Sequence, residues 1–153
     1  MSKPYVNTTT DAVRIWNVSA AATVGSWGSA PTTTAAYTAG QLYKTITVDE
    51  HNNQVIEFKD KEGKVILKKV QLTATADNGS GSSYLGWLCT YYLYDDLNNL
   101  RCVVQPRGVE LISSNWILTN TTILAEQCFR YEYDQRNRMI VKQVPGAVQV
   151  DIV

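Results

Sequence analysis

The chain has 153 residues, and its 14 basic and 14 acidic side chains leave a formal net charge of zero. This length is enough for one domain with a buried core, and the balanced charge creates no field that favours nucleic acid or an anionic membrane. Because of this charge balance we expect no nucleic-acid partner. No apolar run approaches the roughly 20 residues of a membrane-spanning helix, so we also expect no membrane insertion.

Residues 1–42 differ in composition from the rest of the chain. They are rich in Thr, Ala, Ser and Gly, and only Lys3, Asp11 and Arg14 carry a charge among the first 40 residues. Thr and Ser offer the backbone competing hydrogen bonds, which disfavours long helices. We predict irregular strands and loops over 1–42, packed on a sheet formed by residues 43–153, with one structural domain overall.

Alternation of apolar and polar residues begins at Tyr43. The runs YKTITV, QVIEF and KVILKKVQL are rich in β-branched residues, and the polar clusters DEHNN and KDKEG separate them. Such short runs between Asp, Asn and Gly clusters are typical of strands joined by tight turns. Residues 43–72 therefore predict a three-stranded antiparallel meander.

The turn within DKEGK has a specific chemistry. An aspartate at the first position, here Asp60, accepts backbone N–H groups of the turn, and a glycine three residues later, here Gly63, adopts the left-handed conformation that closes a bulged hairpin. The pattern predicts a β-hairpin at this point.

The same spacing recurs at two other places, with asparagine in place of glycine. Asparagine is the non-glycine residue best tolerated in the left-handed region. A weaker copy begins at Asp49, where the next apolar residue comes one position late. The three strong copies predict three similar hairpins. Their turn residues are Asp60 and Gly63, Asp95 and Asn98, and Asp134 and Asn137.

Two copies share a longer pattern, YYLYDDLNNLRCVVQP and FRYEYDQRNRMIVKQVPG. Each has an aromatic residue two positions before a Tyr-Asp pair, and each closes its apolar run with a proline. We expect the tyrosines to stack on their equivalents in the next hairpin, which buries a large ring and leaves the hydroxyl a polar exit. The residues that complete the pattern are Tyr92, Tyr94 and Pro106 in one copy and Tyr131, Tyr133 and Pro145 in the other.

Between these two copies the sequence indicates one short helix. Asn120 precedes TTILAEQ and is a suitable helix cap, which predicts a helix over 121–127. A further turn is expected around residues 109–113. The predicted fold class is therefore all-β: a twisted antiparallel sheet of tandem hairpins with one short helix.

No group of residues supports catalysis or cofactor binding, so we predict no enzyme activity, no cofactor and no metal site. The three cysteines are too widely spaced for a zinc site and too few for a disulfide scaffold, which favours a core role. His51 lies in a predicted turn, and the candidate glycosidase carboxylates Asp95 and Asp134 are already used by turns. No glycine-rich loop opens a helix for a nucleotide phosphate.

The tandem hairpins resemble the YD repeat of the RHS (rearrangement hotspot) family, in the style of RHS-repeat proteins of Bacteroidetes-type bacteria. The repeats that carry the resemblance cover about residues 43–146, and their aspartates are 35 and 39 residues apart. They are VIEFKDKEGKVILKKV, YYLYDDLNNLRCVVQP and YEYDQRNRMIVKQVPGA.

The resemblance implies an internal fragment of a larger protein whose β-sheet spirals into a hollow shell around a C-terminal toxin or other cargo. The expected role is structural, the expected location is secreted or at the bacterial cell surface, and the expected partners are the rest of the parent chain and its cargo. The fragment's open strand edges predict edge-to-edge self-association. The alternative is a cell-surface adhesin module that binds glycan through exposed rings. The tryptophan candidates for that role are Trp16, Trp27, Trp87 and Trp116.

Overall fold

The computed structural model describes residues 2–19, 27, 30–72, 83–146 and 151–152. The chain forms two compact units. Unit 1 comprises Met1–Ile15 and Thr34–Tyr91, and unit 2 comprises Trp16–Thr33 and Tyr92–Val153. Each unit is therefore built from two separate segments of the chain.

The described residues are mostly strand, joined by tight turns and two short α-helices. The strands are β1 (Ser2–Val6), β2 (Arg14–Asn17), β3 (Thr32–Ala36), β4 (Tyr43–Val48), β5 (Gln54–Lys59), β6 (Val65–Gln71), β7 (Trp87–Tyr94), β8 (Leu100–Val104), β9 (Cys128–Tyr133), β10 (Met139–Gln143) and β11 (Asp151–Ile152). The helices are a 3-10 turn at Thr9–Asp11, α1 (Pro106–Ile112) and α2 (Thr121–Gln127).

Unit 1 contains an antiparallel sheet in the order β1, β4, β5, β6 and β7, to which β7 contributes its residues up to Tyr91. The predicted meander over 43–72 is present as β4, β5 and β6. Period-2 alternation directs Ile56 and Phe58 of β5 and Leu67 of β6 into a core where they are fully buried. The apolar alternation therefore sets which face of these strands is buried.

In unit 2 the sheet order starts with the last three residues of β7 and continues with β8, β9, β10 and β11. Strands β8 and β9 pair antiparallel, as do β9 and β10 and β10 and β11. Both α-helices belong to this unit, and they supply Val109, Ile112 and Leu124 to its core. Strands β2 and β3 form a separate two-stranded sheet.

The all-β fold class is confirmed at this level, since antiparallel strands dominate the described residues. Helix α2 occupies the predicted residues 121–127, and the Asn120 side chain caps it by accepting the N–H groups of Thr122 at 2.9 Å and Ile123 at 3.2 Å. The predicted number of helices, one, was too low. Residues 106–112 form a second helix, α1, where only a turn was expected.

The boundary expected at residue 42 stays a prediction. Within 1–42 the described residues form β1, the 3-10 turn, β2 and β3. The stretches 20–26 and 28–29 lie outside the described residues.

Candidate functional site

The repeated hairpin turn is the feature that the sequence singles out, and Asp95 shows how it is built. One carboxylate oxygen, Oδ1, accepts the backbone N–H groups of Leu97 and Asn99, both at 2.9 Å. The Asp95 N–H donates to the Asn99 carbonyl and the Asn98 N–H donates to the Asp95 carbonyl, both at 3.0 Å. One side chain therefore satisfies two turn donors while two main-chain bonds close the loop.

The same four hydrogen bonds recur in three other turns, 49–53, 60–64 and 134–138. Every one of these distances lies between 2.8 and 3.0 Å. The turn at Asp49, the weaker copy in the sequence, has the same bonds as the strong copies. The chain therefore builds one turn geometry four times.

The fourth residue of each turn has a left-handed backbone. Its φ is 87° at Gly63, 65° at Asn52, 63° at Asn98 and 60° at Asn137. A side chain in this region costs roughly 1 kcal/mol or more, least for asparagine, because Cβ approaches the following carbonyl oxygen. The Gly/Asn restriction at this position is therefore a backbone requirement.

A β-bulge follows two of the strong copies at the same distance from the aspartate. Lys59 pairs with Val65 but Phe58 pairs with Leu67, which leaves Ile66 as the extra residue. In the last hairpin the equivalent extra residue is Ile140. The β4–β5 register continues without a shift after the Asp49 turn. The Asp49 copy therefore shares the turn but not the bulge.

The second carboxylate oxygen, Oδ2, binds a cation in each strong copy. Asp60 meets the Lys64 Nζ at 2.7 Å, and Asp134 meets the Arg138 guanidinium at 2.8 Å. Asp95 lies 3.4 Å from the guanidinium of Arg101, which is 7% exposed. The aspartates are thus held by charge as well as by turn hydrogen bonds.

These contacts lower the pKa of two of the aspartates. Burial alone would raise the pKa of Asp60, but hydrogen bonds and charge from Lys64 outweigh it and hold the pKa below its usual value. For Asp134 the largest cause is the hydrogen bond from the Arg138 backbone N–H, which lowers its pKa. These two folded hairpins therefore favour the ionised carboxylates of Asp60 and Asp134.

Adjacent turns in unit 2 contact each other. The Asn99 side-chain amide donates to Oδ1 of Asn137 at 3.2 Å. The Tyr133 hydroxyl donates to the Leu100 carbonyl at 2.7 Å, which joins the last residue of β9 to the first of β8. The repeat residues thus link one hairpin to the next.

The repeat tyrosines lie on the half-buried face of their strands. Tyr92 and Tyr94 alternate with the buried Tyr91 and Leu93 in β7, and in β9 the buried Glu132 separates Tyr131 from Tyr133. All four repeat tyrosines, Tyr92, Tyr94, Tyr131 and Tyr133, remain partly exposed. Burial raises the pKa of Tyr131 and Tyr133.

The two prolines that close the pattern have different surroundings. Pro106 is the first residue of α1, where its fixed φ suits a helix start and its missing N–H is not needed. Pro145 lies in a turn with Gly146, whose N–H donates to the Ala125 carbonyl of α2 at 2.9 Å. Their equivalence in the sequence is therefore not an equivalence in structure.

Unit 1 contains a buried ion pair that the sequence analysis missed. The Lys44 Nζ lies 2.8 Å from Oδ1 of Asp11, whose side chain is fully buried. Oδ2 of Asp11 accepts the Thr8 N–H at 2.7 Å, which completes a capping box on the 3-10 turn. The Thr-x-x-Asp spacing is the signal that could have identified the cap, but nothing local indicates Lys44.

A second buried polar group in unit 1 surrounds Lys69. Its Nζ donates to the Ser83 carbonyl at 2.9 Å and lies 4.3 Å from the centre of the Tyr84 ring. The Tyr84 hydroxyl donates to the Ala12 carbonyl at 2.8 Å and shares a hydrogen bond with the Tyr91 hydroxyl. The contacts of Lys69 compensate the burial of its ammonium group. The tyrosine hydrogen bonds join β7 and the segment before it to the N-terminal segment.

None of the four tryptophans is fully exposed: Trp87 is buried and the others are half-buried. Trp27 donates its backbone N–H to Oε1 of the buried Glu132 at 3.0 Å, and the Arg130 guanidinium lies 5.0 Å from its ring centre. Trp16 and Trp116 meet edge to face with ring centres 6.5 Å apart. These rings therefore have packing roles in unit 2.

His51 is the single histidine of the chain. His51 is exposed in the 49–53 turn, where its N–H donates to Oδ1 of Asp49 at 2.9 Å. Within the described ranges no group of three or more His, Cys, Asp or Glu side chains is arranged to hold a metal ion. Across those same residues, no helix has both the length and the apolar character to cross a membrane.

The repeated Asp turn is observed in this chain, without a known relative beside it. No family model, curated protein or solved structure matches the sequence or the fold.

Proposed function

We propose that the chain is a non-enzymatic structural section of a bacterial RHS/YD-repeat protein, a length of β-sheet wall that encloses a C-terminal toxin or other cargo. The observation that carries this proposal is the single Asp turn built four times with the same hydrogen bonds. A recurring turn of fixed geometry is what a repetitive wall needs, because each hairpin must present the same edge to the next.

Hairpin-to-hairpin contacts supply the mechanical part of the proposal. A lone hairpin cannot bury its apolar face, so it is stable only as part of a wider sheet. In unit 2 the bonds from Asn99 to Asn137 and from Tyr133 to Leu100 add side-chain links to the β8–β9 ladder. Enclosure then requires no specific pocket, only a continuous and rigid sheet.

The proposed setting follows from the proposed role. The wall belongs to a longer exported protein, secreted or at the cell surface, and its partners are the rest of the parent chain and the cargo. Strand β1 comes first in the strand order of unit 1, and its Tyr5 and Val6 are 49% and 51% exposed. An edge of this kind favours pairing with a neighbouring strand.

The coding sequence beyond Val153 and the product it encodes test the wall proposal. Further copies of the aromatic-x-Tyr-Asp-x-x-Gly/Asn pattern ahead of a variable C-terminal region are expected. In the full product, limited proteolysis should leave that region protected until the wall is denatured. An anchoring domain directly after the chain, or a C-terminal region cleaved as fast as a free one, would contradict the proposal.

Glycan binding is the second candidate, and the partly exposed aromatic face of unit 2 favours it. One face of β9 presents three partly exposed rings, Phe129, Tyr131 and Tyr133. Rings on an open sheet face are suited to stacking on sugars. A glycan array probed with the intact chain tests this candidate. Tyr131→Ala should abolish any signal, whereas Tyr43→Ala, which removes a half-exposed ring from unit 1, should preserve it.

A further inference from the structure

Two of the three cysteines lie on neighbouring strands of unit 2. Cys102 is in β8 and Cys128 is the first residue of β9, and their side chains are 1% and 0% exposed. All three cysteines, these two and Cys89, are free thiols. The wall function proposed above assigns none of them a role beyond packing.

The strand register places the two thiols on one face. Cys102 pairs with Arg130 and Val104 pairs with Cys128, so the cysteines are diagonal neighbours two residues out of register. Residues two apart on a strand share a face, which directs both side chains into the same buried layer. The raised pKa of Cys102 agrees with this placement, because a hydrogen bond with the Cys128 thiol is its largest cause.

The surroundings of this thiol pair keep the Cys102 sulfur protonated. The hydrogen bond with Cys128, followed by burial, raises the pKa of Cys102 well above its usual value, and the nearby Arg130 guanidinium opposes this shift only in part. Arg130 itself lies beneath the ring of Trp27. The pair is therefore slow to react while the unit is closed, and an oxidant must reach it through local opening.

We propose that Cys102 and Cys128 are a cross-strand disulfide site, oxidised by exchange with a small-molecule or protein disulfide and reversed by a dithiol. One cysteine, as thiolate, attacks the oxidant disulfide, forms a mixed disulfide and releases one oxidant thiol. The second cysteine then attacks the mixed disulfide at the first cysteine's sulfur and releases the other oxidant thiol. The two thiol protons pass to the departing thiolates, and the two electrons reduce the oxidant.

Diagonal placement decides which kind of disulfide this is. Unstrained disulfides join residues whose Cα atoms are about 4.4–6.8 Å apart. Diagonal neighbours in an antiparallel pair lie about 7–8 Å apart, so closing the bond draws β8 and β9 together. A strained bond is more easily reduced than a relaxed one. We therefore expect a reversible cross-link and not a permanent staple.

The cross-link has a defined structural effect. It would close a loop that contains both α-helices and tie the β7–β8 hairpin to the β9–β10 hairpin. The strands are already joined beside the thiols by the bond from the Gln105 N–H to the Gln127 carbonyl at 2.9 Å. Oxidation should raise the melting temperature, because the cross-link restricts the unfolded chain.

Peptide mapping of the intact chain tests the disulfide site. The chain is incubated with oxidised glutathione across a urea series that reaches partial unfolding, then fully denatured, alkylated, digested and analysed by mass spectrometry. The expected result is a Cys102–Cys128 cross-linked peptide with Cys89 alkylated or glutathionylated, and loss of the cross-link with dithiothreitol. Glutathione adducts or alkylation on both thiols at every urea concentration, with no cross-linked peptide, would overturn the proposal.

Matched variants exclude accidental pairing. Cys89→Ser retains the diagonal pair and should cross-link as the wild type does. Cys128→Ser retains Cys102 and Cys89, and it should yield only glutathione adducts. A cross-link of equal yield in Cys128→Ser would also overturn the proposal, because it would show pairing in the unfolded chain. The outcome is independent of the wall function, since the site needs only the β8–β9 register.

Discussion

One carboxylate oxygen of Asp95 accepts two of the hydrogen bonds that hold its hairpin turn. Oδ1 accepts two backbone N–H groups that the turn would otherwise leave to solvent, and Oδ2 faces Arg101. Removing the acceptor leaves these donors unpaired and leaves a nearly buried guanidinium without its carboxylate. The same arrangement at Asp60 and Asp134 makes the aspartate the residue on which each hairpin depends.

Asp95→Ala should lower the free energy of unfolding by about 1–3 kcal/mol, because two turn hydrogen bonds and an ion pair are lost. Urea unfolding followed by circular dichroism measures this change. Asp96→Ala, one residue along and exposed, is the matched control and should change stability by less than about 0.5 kcal/mol. Equal stability of the two variants would contradict the turn assignment.

The left-handed backbone at Asn137 makes a second prediction. Asn137→Val should destabilise the chain by about 1–3 kcal/mol, because a β-branched side chain clashes with the backbone at a φ of 60°. Asn137→Gly loses the same bond to Asn99 but carries no Cβ, so its stability should stay near wild type. Thermal melts of the two variants isolate the strain, and coincident melts would argue against it.

Elements combine these residue effects with packing. Each strong hairpin joins an Asp turn, a left-handed residue and a cation on the second carboxylate oxygen, and the first and last strong copies add a bulge. A bulge increases the local right-handed twist of the strands. The helices pack by close approach instead: α1 meets β8 and α2 at Gly108, where there is no room for a side chain.

Acid should weaken the hairpins through Asp60 and Asp134. Their pKa values are lower in the folded chain than the usual value of about 3.9, so their contribution is present above about pH 4 and is lost as pH falls through the folded pKa. Asp134→Asn keeps an acceptor oxygen but removes the titration. Urea midpoints between about pH 5 and about pH 2 should fall less steeply for this variant. Parallel curves would contradict the prediction.

Gly108→Ala should destabilise unit 2 by about 1–3 kcal/mol, although alanine is the better helix former. A Cβ at this position would lie 2.9 Å from Cγ1 of Val104 and 3.0 Å from Cβ of Gln127. Urea unfolding measures the loss. Glu110→Ala, on the exposed side of α1, is the control and should be nearly neutral.

A double variant checks that crowding is the cause. Val104→Ala removes the methyl group that the new Cβ would meet, so Gly108→Ala should cost less in its presence than in the wild-type background. Strictly additive losses would show that the close contact with Val104 does not limit the packing of α1.

The whole molecule combines a neutral charge balance with exposed apolar side chains. The formal net charge is zero and the sequence pI is ≈ 6.6. In unit 1 Leu85 is 88% exposed and Leu72 is 56% exposed, and the Leu72 N–H bonds to the Gly86 carbonyl beside Leu85. Molecules near zero net charge repel each other weakly, so such a patch promotes association.

Solubility should therefore reach its minimum near the pI and rise on either side. Leu85→Glu should raise solubility at neutral pH, because it adds a negative charge and removes an exposed apolar side chain. Leu85→Gln removes the apolar side chain alone and separates the two effects. Light scattering against pH measures the change, and a flat profile for the wild type would contradict the prediction.

Much of this fold was accessible from local sequence. The Asp-x-x-Gly/Asn spacing predicted the hairpin turns because their hydrogen bonds join residues two to four positions apart. Period-2 alternation predicted β4 to β6, and Asn120 predicted the start of α2, for the same reason. These features depend on side chains and backbone that are close in the chain.

The tertiary structure alone decided the rest. Lys44 pairs with Asp11, which is 33 residues away in the chain, and Tyr84 bonds to Ala12, which is 72 residues away. No local sequence pattern encodes such partners. Helix α1, which the sequence did not predict, packs at Gly108 against Val104 and α2. The placement of Cys102 and Cys128 on one face requires the β8–β9 register. Long-range pairing depends on which surfaces the strands present to each other, and that is fixed only when the chain has folded.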